Sequence, residues 1–160
     1  MPDEPDTSSK TLEPRRALSD QERLDHLILN ARHPCVWIVT HEESRALQLV
    51  ADSAIAAKEP LWVWSAVKAL RLCSGLIESD RAVANTEHPA AALYHLSTGT
   101  ETPCVAVMID LNGHLDDART LRALRELLHE FRLNGSCLVL IDHNEKLPAV
   151  IAAEASRLEL

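Results

Sequence analysis

Apolar residues follow two rhythms along this chain. Cys35–Thr40, Leu61–Trp64, Val105–Asp110 and Ser136–Ile141 are short, nearly continuous apolar runs rich in β-branched side chains. Such runs suit strands covered on both faces, as in a parallel sheet. Between them, apolar residues recur every three or four positions: Leu24, Leu27, Ile28 and Ala31; then Leu47, Val50, Ala51, Ala54 and Ile55; then Leu121, Leu124, Leu128 and Phe131. That spacing predicts amphipathic helices, each with one buried face.

Punctuation sets the boundaries. Ser19-x-x-Glu22 forms a capping box that opens the first helix, and Pro34 stops it. The second helix runs from Ser44 to Lys58. Pro89 opens a helix to Leu96, since proline suits the first helical position. Asp116 and Asp117 start the Leu121–Phe131 helix and Asn134-Gly135 closes it. Leu147–Ala155 reads as a last helix and Arg157–Leu160 as a fifth strand. In the middle, Ala66–Leu72 reads as a helical turn or two, Gly75 and Asp80 as a loop or hairpin, and Thr98–Pro103 as a loop. No internal repeat is present.

Strands alternating with helices predict an α/β fold: three layers around a mostly parallel, doubly wound sheet of about five strands. Residues 18–160 form this single domain. Residues 1–17 form a polar tail with Pro2, Pro5 and Pro14, too poor in apolar surface to order itself.

Composition narrows the function classes. The chain has 160 residues, 46% hydrophobic and only 3% aromatic, so aliphatic side chains must build its core. A formal charge of −8 opposes attraction to nucleic-acid phosphates. No run is long enough for a membrane-spanning helix, and no apolar signal core stands at the N-terminus; the expected location is cytoplasmic. Cys35, Cys73, Cys104 and Cys137 contain no CxxC pair and are expected as buried free thiols. Trp62 and Trp64 share one strand face, so at least one packs into the core.

In a doubly wound sheet the ligand crevice lies beyond the carboxyl ends of the strands. Thr40-His41-Glu42-Glu43-Ser44 follows the first strand, where a phosphate-binding loop would carry glycines and a lysine. This segment has neither. Thr40-x-x-Glu43 fits a capping box, which would fill the helix's own anion seat with a side chain. Asp110 ends the third strand after four hydrophobic residues, the position of a magnesium-holding acid in nucleoside triphosphatases. Leu111 stands where a catalytic glutamate would follow. Asp142-His143-Asn144 follows the fourth strand. Convergence of His41, Glu42, Asp110, His114, Asp142 and His143 would make a metal pocket. Arg119, Arg122 and Arg125 form a basic cluster on one helix: either a solvated face with an Arg122–Glu126 pair, or a docking surface for an acidic neighbour.

Several of these landmarks together resemble one family: Ala31–Arg45, Val63-Trp64-Ser65, Val107–Asp110 before His114-Leu115-Asp116, the Arg122–Arg125 turn, and Leu147-Pro148. The family is that of uncharacterised AAA-type ATPases of bacteria, cyanobacteria and algal plastids, called after a hypothetical chloroplast reading frame. The resemblance covers most of residues 24–160. It implies a degenerate N-terminal domain, similar to P-loop nucleoside triphosphatases but without a Walker A loop; in the family a complete AAA module follows. The chain stops about where that module would begin, which implies a stand-alone accessory domain or a fragment of a longer gene product.

The expectation is therefore a non-catalytic accessory domain that holds no cofactor and docks on an AAA-type ATPase module or on itself. One alternative is residual ATP and magnesium binding through Thr40, Ser44, Asp110 and Asn144, with Asp110 on the metal. The other is a metal-dependent phosphohydrolase.

Overall fold

The computed structural model describes residues 16–79 and 81–160, so residues 1–15 of the expected tail, and Asp80 of the expected loop, lie outside the described residues. Seven strands form one sheet: β1 (Cys35–Val39), β2 (Leu61–Ser65), β3 (Ala69–Ser74), β4 (Ile77–Glu78), β5 (Val105–Ile109), β6 (Cys137–Asp142) and β7 (Ala155–Glu159). Their order is β4-β3-β2-β5-β6-β1-β7. From β2 to β7 every neighbour pair is parallel, whereas β3 and β4 join antiparallel at one edge.

That edge departs from the expected helical turns at Ala66–Leu72. Residues 66–68 make a tight loop, Ala69 adopts a left-handed φ of 57°, and β3 folds back along β2 with Leu61 opposite Cys73. A short loop followed by a left-handed residue is a common route for such a reversal. Gly75 (φ 63°) turns the chain again into β4, as the expected hairpin required. Together these two strands raise the sheet from about five strands to seven.

Helices cover both faces. On one lie α1 (Asp20–Asp25), which runs into a π-helical turn at His26–Asn30, and α2 (Glu43–Ala57). On the other lie α3 (Pro89–Thr98), α4 (Ala118–Asn134) and α5 (Ala149–Ala152). The Ser19–Glu22 capping box forms, Pro89 occupies the first turn of α3, Asp117 caps α4 and Gly135 ends it. The last helix is shorter than expected because Ala155 already pairs with Cys35 in the sheet. Ile55, expected on the buried face of α2, is exposed; Ala46 and Ser53 take the inner positions.

Strand alternation divides the core. Val36, Ile38, Val105, Val107, Val139 and Ile141 face α1 and α2. Trp37, Trp64, Met108, Leu138 and Leu140 face α3, α4 and α5. Trp62 and Trp64 share a face as expected, and Trp64 is fully buried with its Nε1 donating to the Thr86 carbonyl at 2.7 Å. All four cysteines are buried and free. Burial pushes the Cys35 thiol up to about 12 and Cys137 well above its ordinary range, so both stay protonated and unreactive.

Candidate functional site

β1 feeds α2 on one face of the sheet and β6 feeds α5 on the other. The chain therefore parts between the carboxyl ends of β1 and β6, the place where open α/β sheets hold ligands. A cleft of about 190 Å³ opens there. Thr40, His41 and Glu43 line one side; Asp110, Ile141, Asp142 and His143 line the other.

Two aspartates stand side by side because β5 and β6 end alike. Val107-Met-Ile-Asp110 and Val139-Leu-Ile-Asp142 run in register, with Ile109 opposite Ile141. Their environments then diverge. The Asp110 side chain is 61% exposed and that of Asp142 only 6%. Asp142 is fixed by backbone donors: Asn112 N–H donates to Oδ2 (3.2 Å) and Asn144 N–H to Oδ1 (2.9 Å). Asp110 sits at a left-handed φ of 54°, which aspartate tolerates better than most residues. That twist starts a 3₁₀ turn over Leu111–His114 and sends Leu111 into the core. Leu111, the residue after Asp110, is thus a buried packing residue.

His143 completes the cluster. Its Nδ1 lies 3.5 Å from Asp110 Oδ1 and 3.7 Å from Asp142 Oδ1. One ligand atom from each of the three falls within 4.8 Å of the others. The His41 ring stands 6.2 Å from that of His143. The other two members of the expected metal pocket do not join. His114 turns edge-on to Trp64 with ring centres 5.8 Å apart, and Glu42 pairs with Arg45 at 3.1 Å.

The remaining candidates divide similarly. Thr40 lines the cleft, and its hydroxyl accepts the Glu42 N–H at 2.9 Å. The capping box expected from Thr40 and Glu43 does not form: Glu42 occupies the cap of α2 without a side-chain hydrogen bond. The physical reason is register, since the helix starts at Glu43 with Glu42 at its cap, and Thr40 lies two residues before that cap. Ser44 and Asn144 do not line the cleft. The Asn144 side chain instead accepts the Lys146 N–H at 3.0 Å, closing a local turn. The residue undervalued in the sequence is Asp142. The repeated Val-x-Ile-Asp ending of two buried strands was the signal for it.

Chemically, two carboxylates and an imidazole suit a divalent cation of hard or borderline character. They do not suit a triphosphate. No glycine backbone and no lysine line the cleft, Glu43 contributes negative charge at the helix start, and the volume falls below the roughly 300–1,000 Å³ of ordinary small-molecule sites.

Comparison with known proteins agrees with this fold. Residues 20–160 match the family model described as SpoVK-like AAA ATPase, N-terminal domain. The chain is also 29% identical over 125 residues to a Guillardia theta protein, the "Uncharacterized AAA domain-containing protein ycf46". That alignment covers 76% of this chain and 24% of the relative, so the chain spans about a quarter of the curated protein's length. An α/β sheet with helices on both faces, matched over nearly all its described length, places this chain in the SpoVK-like AAA ATPase N-terminal domain family.

Proposed function

We propose that this is a non-catalytic accessory domain that docks on an AAA-type ATPase module. One observation carries the reading. The β1–α2 junction, Thr40–Ser44, offers neither glycine amides nor lysine to a phosphate and presents Glu42 and Glu43 at the helix start. Each of a triphosphate's charges would meet repulsion there instead of the backbone donors and cation that phosphate loops supply. The domain keeps the frame of a nucleotide site and lacks the groups that make it work. The relative is named as an AAA domain-containing protein, and the part of it beyond the alignment has room for the working module.

Calorimetry of the chain with ATP and magnesium tests this. The expected result is no saturable heat. Saturable heat that is lost in Asp110→Ala would overturn the reading. A separately produced AAA module with an intact phosphate loop should form a complex with the chain in sedimentation.

A second reading has its own observation. Asp110, Asp142 and His143 bring three ligand atoms together at the strand ends. They would hold a divalent cation, with Asp142 as the pre-set member because two backbone amides fix it. Calorimetry with manganese or zinc alone, repeated on Asp142→Asn, separates this reading from the first.

A further inference from the structure

Two concavities larger than the strand-end cleft lie away from it, on the outer side of α3 and α4. One groove of about 440 Å³ has a floor of Ala90, Ala91 and Ala123, with Tyr94 on its wall. Tyr94 is 68% exposed, whereas Ala90, Ala92, Leu93 and Leu96 of the same helix are buried. Along the α4 rim stand Arg119 and Arg122, followed one turn on by Arg125 in the adjoining groove. Arg122 donates one N–H to Glu126 at 2.8 Å; Arg119 and Arg125 form no ion pair among the described residues. Glu126 and Glu130 line the same grooves and Arg132 pairs with Glu154, so the positive charge left uncompensated beside the apolar strip, among the described residues, is that of Arg119 and Arg125.

We propose that the α3–α4 groove receives an amphipathic helix of another protein, apolar on one face and acidic along its flank. Small residues on the floor let a third helix approach closely, as ridges-into-grooves packing requires. Tyr94 offers an amphipathic anchor with little side-chain entropy to lose. The guanidinium groups select carboxylates and repel basic helices, which gives the choice of partner and its orientation. From Arg119 to Arg132 the rim of α4 runs about 20 Å at about 1.5 Å per residue, enough for a helix of about 14 residues. The inference rests on the reading of the chain as a docking domain and specifies the surface it docks with.

The test uses a labelled synthetic helical peptide of about that length, with leucines on one face and glutamates beside them, followed by fluorescence anisotropy. Two control peptides replace every glutamate by lysine, or every leucine by serine. The acidic peptide should bind with micromolar affinity and both controls should fail. Arg119→Glu with Arg122→Glu should weaken binding at least about tenfold, as paired charge reversals across an interface do. Tyr94→Ala should weaken it as well. All three positions are exposed, and circular dichroism checks that each variant keeps its fold.

Absence of binding would overturn the proposal. So would binding unaffected by the arginine reversals, equal binding of the lysine peptide, or saturation of the same arginines by single-stranded RNA or phosphatidylserine vesicles in preference to the peptide. ATP binding at the strand ends would sink the non-catalytic reading without changing this titration, because the groove lies on the helical face and not at the cleft. The two failures are thus separable.

Discussion

The two faces of the sheet are held in different ways. Under α3 and α4 the filling is bulky: Trp64, Phe131, Met108, Leu93 and Leu96 are all essentially inaccessible. Under α1 and α2 it is slight, with Ala46, Ala51 and Ala54 letting α2 lie close to the strands. There a polar knot supplements the packing. Gln21 Nε2 donates to Asp25 Oδ1 (2.9 Å), to the Ser53 hydroxyl (2.9 Å) and to the Leu49 carbonyl (3.2 Å). The Ser53 hydroxyl in turn donates to Asp25 Oδ1 at 2.6 Å. One face is thus governed by volume and the other by close approach and hydrogen bonding. The bulky face carries an apolar groove on its far side.

The contrast can be broken most decisively by removing volume. Phe131→Ala deletes a fully buried ring near the C-terminal end of α4 and should cost about 3–5 kcal/mol, measured by urea unfolding. A loss under 1 kcal/mol would mean that this face collapses freely and is not volume-limited. On the other face, Ser53→Ala should cost about 1–3 kcal/mol despite deleting a single oxygen, because Gln21 and Asp25 lose their shared partner. A neutral effect would reduce the knot to decoration.

The smallest effect should come from the cap of α4, and pH sharpens it. The Thr120 hydroxyl and then the Thr120 amide donate to the Asp117 carboxylate and hold its pKa below the ordinary aspartate range. A lowered folded-state pKa adds stability above the unfolded value of about 3.9, and that stability disappears as pH falls through the lower folded value. Asp117→Asn should therefore be less stable than the parent near neutrality, with the gap closing in acid. An unchanged gap down to the acid limit would show that the charge of the cap contributes nothing.

How much of this could be read from the residues varied with the source of each constraint. Cys35–Val39, Val105–Ile109 and Cys137–Asp142 were readable because an unbroken apolar run of that length needs cover on both sides, and a central parallel strand provides it. Ala69–Ser74 was not. Its apolar residues fit a helical turn as well as a strand, and β2 across the sheet decides between them. In the cleft, Thr40 and Asp110 were readable from their places at the strand ends. The hold on Asp142 was not, because its donors, the Asn112 and Asn144 amides, arrive from two separate turns. His114 illustrates the same limit: three-dimensional packing sends it to an indole edge and away from the other histidines.

All three tryptophans hang from the same side of the sheet: Trp37 and Trp64 sit in the α3–α4 core, and Trp62 packs against it. Ultraviolet emission is consequently a one-sided reporter. Loosening of the α4 layer should redden the spectrum, while a transition confined to α1 and α2 should leave it dark to the fluorimeter and visible in amide ellipticity. Two optical signals that part company during unfolding would thus say which layer let go first.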